Sequence, residues 1–190
     1  MRRCGLAIVS FLLFSHPSFA DDGHVGPVKD YLGKNVAAWL QQPEIVDAIK
    51  AQNAENAKLA QADIDALDTK WRAETEASDH PMIDATLAKP LSQFLKQKQE
   101  ESGGVITELF VMDAKGLNVA QSDMTSDYWQ GDEAKFQKSF GAGADAVFVD
   151  EVEKDESTQT LQSQASMTVK DPATGEPIGA ITIGINIDKL

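Results

Sequence analysis

Two runs near the C-terminus decide the fold class: Leu161-Gln162-Ser163-Gln164-Ala165-Ser166-Met167-Thr168-Val169 and Ala180-Ile181-Thr182-Ile183-Gly184-Ile185-Asn186-Ile187. In the first, Leu161, Ala165, Met167 and Val169 alternate with Gln162, Gln164, Ser166 and Thr168. In the second, Ile181, Ile183, Ile185 and Ile187 alternate with Ala180, Thr182, Gly184 and Asn186. Successive side chains of an extended chain point to opposite faces, so this period predicts two long strands, each with one face on a core and one polar face. Asp171-Pro172-Ala173-Thr174-Gly175 lies between them and has the composition of a turn.

Moving toward the N-terminus, residues 105–112 are β-rich and run into Asp113-Ala114-Lys115-Gly116. There the Asp113 carboxylate is expected to cap a turn and Gly116 to supply a positive φ. Residues 117–121 return as the partner strand, and 146–149 read as a further short strand. The polar stretch 122–143 joins them, with one short helix expected around 133–140.

Before Gly103-Gly104 the composition shifts to Ala, Gln, Glu, Asp and Lys, which predicts helix. Pro43 fits the first position of a helix, with Glu44 in the first turn where the helix dipole favours acid. Asp63 opens a stretch that puts Ile64, Leu67 and Trp71 on one face. Asp79 and Pro81 start a third helix carrying Met82, Leu87, Leu91, Phe94 and Leu95, with Gly103 as its end. Asn53 and Asn56 interrupt the apolar stripe of the second helix; that section either faces water or turns its amides inward. The fold class is therefore α+β, a five-stranded antiparallel sheet (104–190) packed on an N-terminal helical layer (28–102).

Residues 1–20 have the three parts of an export leader: Arg2 and Arg3, an apolar run from Leu6 to Phe14, and the small residues Ser18 and Ala20 flanking Phe19. Cleavage is expected after Ala20, leaving 21–190 as one domain in the periplasm. The apolar run is too short to cross a bilayer. Removing Arg2 and Arg3 takes the formal net charge from −13 to −15 and leaves Arg72 as the only arginine. Such a chain repels nucleic acid and anionic membrane surfaces. The single cysteine, Cys4, leaves with the leader, so no disulfide is expected.

Three motifs in order carry a family resemblance. They are Leu109-Phe110-Val111-Met112-Asp113-Ala114-Lys115-Gly116 with Asn118-Val119-Ala120, then Thr125-Ser126-Asp127-Tyr128-Trp129-Gln130-Gly131-Asp132-Glu133, then Gly175-Glu176-Pro177-Ile178-Gly179-Ala180-Ile181. The sequence resembles the PAS-like extracytoplasmic sensor domains called Cache domains. The resemblance implies a small molecule held between the sheet and the segment joining the second and third strands. It also implies a membrane histidine kinase or chemoreceptor as signalling partner, although here a leader replaces the usual first membrane helix and no second one follows.

On that resemblance the candidate ligand-binding residues are Asp127, Tyr128, Trp129, Gln130, Asp132, Lys135, Phe110, Gln164 and Thr182. Adjacent aromatics between carboxylates suit a cation. Two readings of Tyr128 and Trp129 stay open: they face a ligand, or they staple the loop onto the sheet, and both can hold with one ring inward and one against the core. The polar strand face, with Gln162, Gln164, Ser166, Thr182 and Asn186, is likewise either pocket floor or solvated surface. Amino-acid and carboxylate receptors of this kind commonly grip their ligand with an arginine near the lid. The sequence places none there, and Lys135 is the only substitute. A cationic, amine-bearing or neutral ligand is favoured over a simple carboxylate.

Enzymatic chemistry is not expected. The chain has no Gly-x-Ser-x-Gly elbow, no phosphate-cradling glycine loop and no His-Glu-x-x-His helix. Asp123, Asp127, Asp132 and Glu133 do not match the spacing of a calcium loop. No cofactor or metal is called for. The rival reading is a periplasmic interaction module whose pocket is vestigial.

Overall fold

A computed structural model describes residues 22–154 and 160–190; the leader and its cleavage point lie outside the described residues. Five strands form one antiparallel sheet in the order β2-β1-β5-β4-β3: β1 Ile106–Met112, β2 Asn118–Gln121, β3 Val147–Lys154, β4 Leu161–Lys170 and β5 Pro177–Asn186. The period-two reading holds along β5 to Ile185 and along β4 from Ala165 to Val169, while Leu161 is exposed and Ile187 lies past β5 in a 3-10 turn. Ile181, Ile183 and Ile185 of β5, with Leu109 and Val111 of β1 and Ala165 and Val169 of β4, are buried on one face. Helices α1 Val25–Asn35, α2 Pro43–Asn56 and α5 Pro90–Glu101 contribute Val28, Leu32, Ile45, Ile49, Leu91 and Leu95 to the same core.

The helical layer differs from expectation at two points. The sequence pattern does not mark helix α1, because Gly26, Pro27 and Gly33 thin its apolar pattern and leave Val28 and Leu32 as its buried residues. The stretch expected as one helix after Pro81 is two, α4 Pro81–Leu87 and α5. Pro90 has no N–H to continue α4 and instead takes the first position of α5. Strand β3 is also longer than the 146–149 expected, because its outer half is acidic and shows little apolar alternation. The short helix expected at 133–140 is one turn, α6 Ala134–Gln137, followed by a 3-10 turn at Phe140–Ala142.

Helix α3, Gln61–Thr75, stands apart with α4 over a second, smaller core of Ile64, Trp71, Ile83, Leu117 and Tyr128. The N-terminus of α3 is capped by Asp63, whose carboxylate accepts the Ala60 N–H at 2.9 Å.

Asn53 and Asn56 face inward. Asn56 Nδ2 donates to Asp113 Oδ2 at 2.7 Å, and Asn53 donates to the Ile178 carbonyl while accepting the Ala114 N–H. Asp113 is fully buried and also accepts Gln52 Nε2 and the Lys115 and Leu117 N–H groups. The turn-capping role read for Asp113 is therefore half of its bonding, since it also ties the β1–β2 turn to α2.

Candidate functional site

The segment between β2 and α6 is built as an edge extension of the sheet. Asn118 N–H donates to the Tyr128 carbonyl at 3.0 Å and Gln130 N–H to the Gly116 carbonyl at 2.8 Å. Gly116 has φ +83°, and a Cβ there would lie 2.6 Å from the Gly131 backbone, so both glycines are needed for this approach. Trp129 Nε1 closes the contact on the Lys115 carbonyl at 2.8 Å.

Helix α3 holds the same segment from the other side. Asp68 accepts the N–H groups of Tyr128 (2.8 Å) and Trp129 (3.0 Å), and the guanidinium of Arg72 bridges Asp68 (2.7 Å) and Asp127 (3.1 Å). Burial works to raise the Asp68 pKa. The Arg72 hydrogen bond and the two backbone donors outweigh it, so the carboxyl sits below its ordinary range. The Arg72 contact corrects one expectation. The sequence places no arginine near the lid, yet the fold brings Arg72 there from α3, 55 residues away in the chain.

On the outer face of the sheet a cleft of about 330 Å³ opens between the α6 region and strands β3 and β4, lined by Glu133, Lys135, Asp150, Glu151, Glu153, Lys154, Gln162 and Gln164. Lys135 Nζ pairs with Glu133 at 2.9 Å and lies 5.4 Å from the centre of the Phe110 ring beneath it. Gln162 Nε2 (3.0 Å) and Gln164 Nε2 (2.8 Å) both donate to Oε1 of Glu108, which reaches them from β1 across β5. Gly184 makes this crossing possible, since a Cβ there would meet Glu108 Cγ at 2.7 Å.

Burial raises the Glu133 carboxyl above its ordinary pKa. The neighbouring Asp127 carboxyl adds to the rise through charge and a hydrogen bond, while Lys135 opposes it. Tyr128 is pushed up to about 12, mainly by burial and further by the charges of Asp113 and Glu55.

The candidate residues therefore fall in three places. Lys135 and Gln164 line the cleft and Phe110 lies under Lys135. Asp127 and Gln130 are buried and do not line it; Gln130 Nε2 donates to Asp127 Oδ1 at 2.6 Å, and the Asp127 carboxyl acts electrostatically on Glu133 of the cleft. Thr182 is buried in the sheet, its hydroxyl 2.9 Å from that of Ser166. Asp132 is exposed. Tyr128 stacks on Trp71 and Trp129 packs against the same small core, so neither ring lines the cleft. Glu133, Asp150, Glu151, Glu153 and Lys154 were not among the candidates. The acidic run of β3 was the available signal, and it becomes informative only once β3 is known to extend to Lys154.

Helices, hairpin, connecting segment and three closing strands in sheet order β2-β1-β5-β4-β3 make an α+β, PAS-like fold. Among solved structures, the V. cholerae histidine kinase DctB sensor domain has a TM-score of 0.50 to this chain and is 14% identical, over 88% of this chain and 52% of that one. The sensory domain of the Campylobacter jejuni chemoreceptor Tlp3 with isoleucine bound gives 0.39 and 10%, over 85% and 62%. The ligand-binding domain of the Pseudomonas aeruginosa PAO1 amino acid chemoreceptor PctC in complex with GABA gives 0.36 and 15%, over 86% and 60%. The chain spans between about half and three fifths of these structures, 52% to 62%. No family model matches the chain, and a search of curated proteins found no match.

Proposed function

We propose that this chain is a periplasmic sensor module that binds a small amine-bearing solute in the outer-face cleft and presents its occupied state to a membrane-bound histidine kinase or chemoreceptor. The polarity of the cleft carries the reading. Four carboxylates, Glu133, Asp150, Glu151 and Glu153, face two ammonium groups, Lys135 and Lys154. Glu108 draws the Nε2 groups of Gln162 and Gln164 toward itself, which leaves their amide oxygens to accept from a ligand. Acceptors and anions together suit a hydrogen-bond donor with positive charge. The ligand preference read from the missing arginine now rests on these groups instead, because Arg72 is committed to Asp68 and Asp127. Asp127, Tyr128, Trp129, Gln130 and Asp132 serve by positioning Glu133 and Lys135.

A thermal-shift panel of primary amines, diamines, quaternary ammonium compounds and dicarboxylates tests the reading. A ligand that binds only the folded state raises Tm by linkage. An amine is expected to do so in the parent protein and not in Glu133→Gln; tighter binding of a dicarboxylate would contradict the proposal. The rival reading, an interaction module with a vestigial pocket, is favoured by one observation. Phe136, stacked on Phe140, packs with Phe110, Met112 and Ala180 and fills the outer face next to the cleft. That reading is supported if no compound in the panel shifts Tm while the protein still captures a membrane receptor.

A further inference from the structure

Across the sheet from the cleft, α2 and α5 leave a groove of about 380 Å³ between them. Leu91 and Val119 form its floor, with Ala48 and Ala51 on the α2 side and Phe94 on the α5 side. The small alanines leave room for another backbone to approach at helix-packing distance. Glu44 and Glu55 mark the two ends of the α2 wall. At 1.5 Å of rise per residue they stand roughly 16 Å apart along the helix. Both are exposed, and neither has an ion-pair partner among the described residues. Lys89 is the one cation in the lining; its ammonium is half-buried and donates to the Val119 carbonyl at 2.8 Å.

We propose that this groove seats an amphipathic helix of a partner protein, with its apolar face on Ala48, Ala51, Leu91 and Phe94 and two basic side chains, three turns apart, on Glu44 and Glu55. Charge complementarity selects the occupant. An acidic rim on a chain of formal net charge −13 repels a second copy and anionic lipid alike. The inference rests on the reading above only in requiring a protein partner, and it names the surface that the partner would read.

The probe is a labelled helical peptide with an alanine–leucine face and lysines eleven positions apart, titrated into the full mature chain by fluorescence anisotropy. Binding is expected to weaken as salt rises. Ala51→Trp, at an exposed position, fills the groove and should abolish binding. The pair E44Q/E55Q should weaken it about tenfold and remove the salt dependence. Circular dichroism melts check that both variants fold, and the amine-induced shift in Tm is expected to survive in both. Loss of that shift in the parent protein would count against the sensor reading and leave the groove untouched. No peptide binding, equal binding by A51W, or equal binding of a peptide with glutamates in place of lysines would overturn the inference. So would a dimer of the chain that A51W dissolves, because the groove would then belong to a second copy.

Discussion

Tyr128 stacks on Trp71 with ring centroids 5.2 Å apart and planes inclined by 26°. Trp71 Nε1 also donates to the Thr125 carbonyl at 2.9 Å, so one α3 side chain holds the lid segment both by its ring face and by its polar edge. The Tyr128 ring thereby ties the segment after β2 to α3, and Trp129 packs against the same small core.

Trp71 is fully buried, and Trp71→Ala removes the centre of the smaller core. Stability should fall by about 3–5 kcal/mol. Amide exchange should rise first at residues 125–130 while the strands of the main core stay protected. Uniform loss of protection would show that the lid is not a separately held unit.

The two tyrosines should titrate late. Burial raises both phenols, Tyr128 to about 12, so spectrophotometric titration should show little ionisation of Tyr128 near the ordinary tyrosine value of 10.0. A phenol raised on folding binds its proton more tightly in the folded state. Its stabilising contribution is complete below the ordinary value and is lost as pH rises toward about 12. Alkaline unfolding in that window, delayed in Tyr128→Phe, is the expected result.

Glu133 and Asp68 should act on opposite sides of the acid range. The Glu133 carboxyl is raised, so the folded state holds more protons than the unfolded one above the ordinary carboxyl range, and stability declines as pH climbs through its folded pKa. Asp68 is lowered, so its contribution is present above the ordinary aspartate value and is lost as pH falls through its folded pKa. Denaturant titrations across pH should show Glu133→Gln flattening the upper slope only and Asp68→Asn the lower slope only.

Gly184→Ala tests the crossing of Glu108 over β5. The added methyl would meet Thr107 Oγ1 and lie 2.7 Å from Glu108 Cγ, displacing the side chain that orients Gln162 and Gln164. Overpacking of this kind costs roughly 1–3 kcal/mol. Amine-induced stabilisation should be lost by more than the fold is weakened. A variant with unchanged stability and binding would show that Glu108 has another route to β4.

The sheet was legible because its isoleucines alternate without interruption, and backbone geometry leaves one interpretation of that period. The resemblance carried by Leu109 to Gly116 and by the lid motif drew attention to the segment after β2, and Lys135 and Gln164 of the expected residues line the outer-face cleft. Contacts remote in sequence were not legible. Nothing local marks Arg72 as the partner of Asp127, or Glu108 as the acceptor for Gln162 and Gln164, since each depends on how elements cross in space. Tyr128 and Trp129 can be read as ligand contacts or as staples from composition alone, and nothing local foretells that Tyr128 stacks on Trp71 of α3.

The Asp113 carboxylate takes amide protons from Gln52 and Asn56 on the α2 side and backbone protons from Lys115 and Leu117 on the hairpin side. The change in composition at Gly103-Gly104 is thus no seam along which the chain could be parted. A fragment ending there would carry away two amides with no acceptor, and the remainder would keep an anion in its interior with half its donors gone.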